Sequence, residues 1–295
     1  MEDDPSKYTA NLPTPGIGVG LRSPHIKEIL ATKPDIDFFE LLTDNHLAEG
    51  GHARQHAYAI RQDYPVSMHC VGMSLGGTDP IDYEYLAKIK KLADELEPAC
   101  ISDHLCWTSF EQKHAHDLLP LPYTEEAINY VSERILQIQD FLKTTLVVEN
   151  VSSYLSYECS TLNEWEFLTT IAEKSNCKIL LDLNNIYVSQ YNNDIDAREY
   201  IKNIPLNLVA EIHLAGFEDK GTYLLDAHNH EVSTPVWELY QEVMMHNHSI
   251  PTLIEWDNDL PPFSTLMKEA DKARQHQQSA IIDNTKIHQD NFSLA

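Results

Sequence analysis

Histidine and carboxylate side chains recur in this chain at the ends of short apolar runs. They are His69 in VSMHCVG, His104 in CISDHLCW, Glu149 in LVVEN, Asp182 and Asn185 in LLDLNN, His213 in AEIHLAG and Glu255 in LIEWD, with Asp226 and His228 following in LLDAHNH. Imidazole and carboxylate groups suit Fe, Mn and Zn, and the lack of cysteine in the set argues against a structural thiolate zinc site. The set is larger than one ion needs, so it predicts a cluster of two or three metal ions.

Each of these residues alone has an ordinary structural explanation. A histidine at a strand end is often a hydrogen-bonded structural residue, and a lone carboxylate there commonly caps the next helix. Consecutive parallel strands that all end this way would instead crowd buried charges together, and cations are the natural compensation. Glu149 lies midway in strand order between the histidine pair and the later ligands, so we expect it to bridge two ions.

The elements that must position these residues alternate in type along the chain. Apolar runs at 16–21, 36–42, 66–71, 99–105, 145–150, 178–185, 208–216 and 251–257 are separated by segments with helical periodicity, such as 80–96. About eight strands alternating with helices predict an α/β fold of the (β/α)₈ TIM-barrel type, in which catalytic residues come from the carboxyl ends of the strands.

Length and composition favour one globular domain. With 295 residues and 42% hydrophobic content, the chain is of a size that barrels reach as a single unit. We expect an N-terminal extension over 1–15, the metal-binding catalytic barrel over 16–275, and a poorly ordered C-terminal tail over 276–295, because termini fray unless docked.

The charge and the cysteines restrict the partners and the compartment. The 46 acidic residues outnumber the 21 Lys and Arg residues, giving a net charge of −25, which disfavours binding to a nucleic-acid backbone. The sequence has no long apolar run that predicts a membrane span. Its five cysteines form no CxxC pair, so we expect reduced thiols in a cytoplasmic protein.

A series of motifs in fixed order carries a more specific resemblance. The segments GIGVGLR, SMHCVGMSLGG, ISDHLCWTS, LLPLPYTEEA, VVENVSSY, LLDLNNIYVS, EIHLAGF, DAHNHEV and LIEWDNDLPPF, spread over 16–263, resemble the multinuclear non-heme iron-dependent oxidative enzymes, a family that includes the methanobactin-biosynthesis iron oxidase. The resemblance implies an oxidoreductase that holds two or three irons and uses O₂ as co-substrate. It also implies a cysteine-containing, ribosomally synthesised precursor peptide as substrate (RiPP biosynthesis), and a partner protein that recognises the peptide leader.

The resemblance also implies roles for individual residues. One iron is held by His69, His104 and Glu149, a second by Glu149, Asp182, His213 and Glu255, and a third by Asn185, Asp226 and His228. Glu149, His69 and His213 are the expected catalytic residues. Asn185 supplies a neutral amide, which is a poorer ligand than imidazole or carboxylate, so we expect the third ion to be the weakest bound.

Three alternative functions stay open from sequence alone. The ligand order is also similar to that of the three-zinc apurinic endonucleases, although these phosphodiesterases have a histidine where this chain has Asn185. A metal-dependent sugar isomerase on a related barrel is the second alternative. The third is a non-catalytic metal-binding or peptide-binding protein, because a barrel fold does not fix function.

Further polar residues near the strand ends are candidates for supporting roles. They are Arg22, Glu40, Asn45, His46, Asp103, Asn150 and Asp257. We expect Asp103 and Asp257 to orient His104 and Glu255, since metal ligands are usually held by outer carboxylates. Asn45 and His46 are expected to line a peptide channel, with the loop 72–77 over its mouth.

Overall fold

Eight parallel strands close into a barrel in this computed structural model, which describes residues 11–111, 113–193 and 195–293. The strands in chain order are β1 (Ile17–Gly20), β2 (Phe38–Leu42), β3 (Val66–His69), β4 (Ile101–His104), β5 (Trp107–Phe110), β6 (Lys113–Leu119), β7 (Leu146–Glu149), β8 (Lys178–Asp182), β9 (Val209–Leu214), β10 (Glu218–Asp219), β11 (Leu224–Leu225) and β12 (Thr252–Ile254). The barrel order is β1-β12-β9-β8-β7-β4-β3-β2. Each of the eight predicted apolar runs contains one barrel strand, so the single-domain TIM barrel is confirmed.

Helices follow most barrel strands and cover the outside. They are α1 (Ile26–Thr32), α2 (Gly51–Arg61), α3 (Tyr83–Leu96), α4 (Glu125–Leu142), α5 (Glu164–Ser175), α6 (Leu183–Asn193), α7 (Ala197–Asn203), α8 (Thr234–His246) and α9 (Phe263–Ser293). Helix α3 begins where Asp82 accepts hydrogen bonds from the backbone N–H groups of Glu84 and Tyr85. Its buried Leu86, Ile89, Ala93 and Leu96 recur at three- and four-residue spacing, which is why this segment packs as a helix.

The barrel interior is apolar at its floor and polar at its carboxyl end. Leu12, Phe38, Cys100, Val147, Leu180 and Leu253 form one buried cluster at the floor. Residues two positions apart on a strand point to the same side, so these strands place a ligand-type residue above each floor residue. The pairs are Phe38 and Glu40, Val147 and Glu149, Leu180 and Asp182, and Leu253 and Glu255. The strand alternation therefore gathers the carboxylates at one end of the barrel.

Helix α9 continues past the domain boundary expected at residue 275. The ring of His276 stacks on Trp237 at a centroid distance of 5.1 Å, and Gln277 and Ala280 are buried. The His276 ring packs this part of α9 on α8, and the helix ends at Ser293. Residues 1–10 of the expected N-terminal extension and 294–295 of the expected tail lie outside the described residues, while Leu12 contributes to the barrel floor.

Two antiparallel ribbons interrupt the βα alternation, and the sequence did not predict them. Strands β5 and β6 pair with each other after β4, and β10 pairs with β11 after β9. Both insertions follow the carboxyl end of a barrel strand, so they stand at the same end as the carboxylates. No helix within the described part of the chain has the length and apolarity needed to cross a membrane.

Candidate metal centre

Two histidines and a glutamate meet at the ends of β3, β4 and β7. The Nε2 atoms of His69 and His104 are 3.2 Å apart, and each lies 3.3 Å from Oε2 of Glu149. Ligand atoms bound to one ion at about 2.1 Å are about 3.0 Å apart in an octahedron and about 3.4 Å apart in a tetrahedron. The three atoms are therefore spaced as the ligands of one ion would be.

Polar groups contact the outward nitrogens of both rings. Nδ1 of His69 is 2.8 Å from Oγ of Ser102, and Nδ1 of His104 is 3.6 Å from Oδ1 of Asp103. Ser102 can accept the Nδ1–H of His69, which favours the tautomer that leaves Nε2 free for a metal, whereas Nδ1 of His104 has no hydrogen-bond partner among the described residues. Burial, helped by the neighbouring rings of His104 and His213, lowers the pKa of His69 well below its usual value, so His69 is a neutral ligand.

Several buried ligand atoms have no hydrogen-bond partner within the described residues. Among them are Oε2 of Glu149, Oδ2 of Asp182 and Oδ1 of Asn185. Burial raises the pKa of Glu149 to about 8 and that of Asp182 to about 7. A buried oxygen without a donor is costly, and a bound cation removes that cost. The site therefore fits metal ions, which compete with protons for the same atoms.

A second group of donor atoms shares Glu149 with the first. One atom each of Glu149, Asp182 and His213 lie within 4.8 Å of one another. Nδ1 of His213 is also 3.1 Å from Oε2 of Glu255. The four residues expected at the second iron are thus close together. Glu149 belongs to both groups, which is the position that a bridging carboxylate requires.

The residues expected at the third ion do not all meet. Nε2 of His228 is 2.7 Å from Oδ1 of Asp226, and Nδ1 of His228 is 3.4 Å from Oε2 of Glu255. The amide that contacts Asp226, at 2.7 Å, is that of Asn184. Asn185 instead donates from Nδ2 to Oε1 of Glu149 at 3.3 Å. Two adjacent residues at the start of α6 point about 100° apart, which separates the two amides.

Arg22 and Asp257 form an ion pair beside Glu255. Nε of Arg22 donates to Oδ1 of Asp257 at 3.0 Å, and its guanidinium approaches Oε1 of Glu255 at 3.8 Å. A Cβ at Gly20 would lie 2.8 Å from the guanidinium carbon of Arg22, so a glycine at this position leaves room for the ion pair. Asp257, which was expected to orient Glu255, contacts Arg22 and His228, and both of these residues contact the Glu255 carboxylate.

Two further buried glutamates lie next to His213, and neither was expected there from the sequence. Oε2 of Glu40 is 3.4 Å and Oε1 of Glu211 is 3.9 Å from Nε2 of His213. Although burial works against the charged ring, the Glu40 and Glu255 carboxylates raise the pKa of His213 well above its usual value. The alternation of β9 could have indicated Glu211, which precedes His213 by two residues and so shares its face.

A cavity of about 830 Å³ lies over this end of the barrel and includes Asp226 in its wall. Its lining contains four carboxylates (Asp44, Asp82, Asp117, Asp226) and three tyrosines (Tyr85, Tyr154, Tyr223). Gly72 from the loop 72–77 is part of the wall, whereas Asn45 and His46 are not among the lining residues. The cavity gives a ligand access to the edge of the proposed metal centre.

The amino-acid sequence is similar to a known family and to several bacterial proteins. A sequence model described as RiPP precursor modification enzyme MbnB/TglH/ChrH matches residues 16–278. A UPF0276 protein of Anaeromyxobacter sp. (strain Fw109-5) is 46% identical over 266 residues, 90% of this chain and 94% of the relative. A UPF0276 protein of Acaryochloris marina is 44% identical over 258 residues, 88% of this chain and 93% of the relative.

Solved structures with the same fold are more distant in sequence. An L-ribulose 3-epimerase is similar with a TM-score of 0.59 at 14% identity, covering 92% of this chain and 98% of its own. Endonuclease IV from Thermus thermophilus is similar with a TM-score of 0.57 at 13% identity, covering 91% of this chain and 100% of its own. At such low identity these similarities show the fold alone.

Proposed function

This chain belongs to the MbnB/TglH/ChrH family of RiPP precursor modification enzymes, and we propose that it is a multinuclear iron oxidase. Its proposed substrate is a ribosomally synthesised precursor peptide, in which it uses O₂ to modify a cysteine or an adjacent residue. A separate partner protein would recognise the peptide leader. The proposed location is the cytoplasm, where the five free cysteines of the chain stay reduced.

The observation that carries this proposal is the set of overlapping donor groups. Glu149 is shared by two of them, and Asp182, His213 and Glu255 each also belong to two. Shared ligands support several ions close together, because a single mononuclear site would not leave these buried oxygens unpartnered. Nitrogen and carboxylate donors without thiolate suit iron.

The chemistry divides between the metal and the chain. Iron bound by these residues would supply the electron-transfer and O₂ chemistry, with electrons taken from the peptide and accepted by O₂. The chain holds the ligand atoms in place, keeps bulk water from the buried carboxylates, and receives the peptide in the cavity over Asp226. Burial raises the pKa of Cys70 and Cys106 well above the usual thiol value, so both stay protonated and unreactive.

The test is an assay with a cysteine-containing precursor peptide encoded near the gene, together with its partner protein. The protein is loaded anaerobically with Fe(II), and O₂ consumption and peptide mass are followed after air is admitted. We expect O₂ uptake in step with a peptide mass change, and neither with the zinc-loaded protein. Peptide modification by the zinc-loaded protein, with none by the iron-loaded protein, would contradict the oxidase proposal. Cleavage of an abasic duplex would favour the endonuclease alternative.

A further inference from the structure

The ring of His213 lies between carboxylates on both of its nitrogen edges. Nδ1 forms a hydrogen bond with Oε2 of Glu255 at 3.1 Å, while Nε2 has no hydrogen-bond partner among the described residues and lies 3.4 Å from Oε2 of Glu40. His213 is fully buried, and Glu40 is only 1% exposed. Water therefore does not compete for either nitrogen, and the two carboxylates decide how the ring is protonated and oriented.

A neutral imidazole has one N–H and one lone pair, so the partner of one nitrogen fixes the role of the other. Metal-bound histidines usually donate their second N–H to a carboxylate or carbonyl. We infer that Glu40 is a positioning residue, which accepts the Nε2–H of His213 and directs the Nδ1 lone pair at the ion held with Glu255. This inference rests on the proposed metal centre and adds a residue to which no ligand role was assigned.

The barrel geometry explains how Glu40 reaches a residue on a strand that is not its neighbour. Strands β2 and β9 are separated by β1 and β12 in the barrel order. Gly20 of β1 pairs in register with Glu40, and the Arg22 guanidinium fills the space beside this glycine. Glu40 and His213 both point into the closed barrel, where Oε2 of Glu40 comes within 3.4 Å of Nε2 of His213, and Oγ of Ser67 donates to the same Oε2 at 3.3 Å. That hydrogen bond helps to hold the carboxylate in position.

Glu211 offers a matched control on the same ring. It is also fully buried, but its Oε1 lies farther from Nε2 of His213, at 3.9 Å, which exceeds hydrogen-bond distance. Its other oxygen is 3.5 Å from Sγ of Cys100 on the floor of the barrel. Replacing Glu211 removes a nearby carboxylate and leaves Glu40, the proposed acceptor for His213, in place.

A direct ligand role for Glu40 is the competing explanation. Donor atoms of Glu40, His213 and Glu255 lie within 4.8 Å of one another, so an ion could sit among them. In that case Nε2 would bind the ion, and Glu40→Gln would lose it as completely as Glu255→Gln. A positioning residue behaves differently, because the glutamine Oε1 can still accept the Nε2–H.

The test compares Glu40→Gln, Glu40→Met and Glu211→Gln in the full-length protein. Metal affinity is measured by chelator competition, and the His213 tautomer by ¹⁵N NMR of the zinc-loaded protein. We expect Glu40→Met to bind one ion about 10- to 100-fold more weakly. The metal affinity of Glu40→Gln should lie between those of Glu40→Met and the wild type, and the affinity of Glu211→Gln should match that of the wild type. Nε2 of His213 should carry the proton in the wild type and lose this preference in Glu40→Met.

Thermal unfolding of the metal-free variants separates positioning from general support of the fold. Glutamine keeps the volume and a hydrogen-bond acceptor, so metal-free Glu40→Gln should unfold close to the wild type. Glu40→Met removes a carboxylate partner of buried His213 and should unfold lower, so its metal affinity is measured well below its unfolding midpoint. Normal metal affinity in Glu40→Met, or complete loss of the ion in Glu40→Gln, would overturn the inference. If the protein proves to use zinc while the Glu40 variants still weaken its binding, the oxidase proposal fails and the positioning role stands.

Discussion

At the residue scale, the proposed metal centre depends most on Glu149. Its Oε2 lies 3.3 Å from Nε2 of both His69 and His104, and it is grouped with Asp182 and His213 as well. Loss of this carboxylate therefore affects two ions together, whereas loss of a terminal ligand affects one. The group that contains His69 shares only Glu149 with another group among the described residues.

Glu149→Gln should lose most of the bound metal and all measurable turnover. The neutral amide is a poorer ligand and cannot bridge two cations as a carboxylate does. Metal content by elemental analysis and peptide modification by mass spectrometry check this expectation. Glu211→Gln is the control, since it removes a buried glutamate next to the site that is not a proposed ligand. Full metal content and turnover in Glu149→Gln would show that the bridge is wrongly assigned.

The protonation of the same residues predicts a pH dependence for the metal-free protein. Burial raises the pKa of Glu149 and of Glu211 to about 8 from an ordinary 4.5. Against the effect of burial, Glu149 and Asp103 raise the pKa of His104 to about 9 from 6.5. In each case the folded state holds a proton that the unfolded state has released, so stability falls as pH rises from 7 to 9.

Groups whose pKa is lowered by folding affect stability mainly below pH 7. The pKa values of His69 and Glu255 are lowered from 6.5 and 4.5, so their effects are complete by pH 7. Denaturant unfolding of chelator-treated protein should therefore give a falling free energy between pH 7 and 9. Bound metal displaces the protons and should flatten the curve. A metal-free curve that rises over this range would contradict the assignment.

At the element scale, strand ends and loops hold their ligands differently. His69, His104, Glu149 and Asp182 end barrel strands that are hydrogen-bonded on both sides. Asp226 and His228 instead follow the short strand β11, and His228 has a positive φ of 45°. A ligand on a loop is held less rigidly than one on a strand, so the ion bound there should exchange most easily.

His228→Ala should lower the metal content by about one ion and leave the others in place. The expected reason is that His228 serves the loop side of the centre, away from His69 and His104. Chelator titration of the wild type should likewise release one ion before the rest, as followed by elemental analysis. Loss of every ion from His228→Ala at an unchanged unfolding midpoint would show one cooperative cluster and refute this ranking of the sites.

The sequence predicted the strand ends well and the contacts across the barrel poorly. Glu149, Asp182 and His213 were identifiable because a period of two places them on the inward face at the strand ends. The partner of His213 was not, because Glu40 comes from a strand that two others separate from β9. The sequence also did not indicate that Asn184, the neighbour of Asn185, contacts Asp226, since it does not fix the rotation of a helix that starts at Leu183.

At the scale of the whole molecule, the last helix secures the fold beyond the predicted boundary. Ala280 is 2% exposed, whereas the neighbouring Ser279 is exposed. Ala280→Asp should lower the free energy of unfolding by about 2–4 kcal/mol, because it buries an unpaired charge. Ser279→Asp should change it by less than about 0.5 kcal/mol. Urea unfolding of both variants checks this, and equal stabilities would mean that α9 does not dock at Ala280.

The chain has a net charge of −25, and some of its acidic residues lie around the cavity at one end of the barrel. Buried carboxylates at that end repel one another unless cations accompany them, so the proposed metal ions would contribute to the stability of the folded chain. The same acidity disfavours duplex DNA as a partner, although the fold is shared with an endonuclease.

Whether this ligand set holds more than one iron is best decided by anaerobic Fe(II) titration followed by Mössbauer spectroscopy. We expect saturation at two to three irons per chain. We also expect spectra in which at least two irons are coupled through a shared carboxylate, with that coupling lost in Glu149→Gln. Saturation at a single iron, or several irons with no coupling between any pair, would contradict the proposed multinuclear centre.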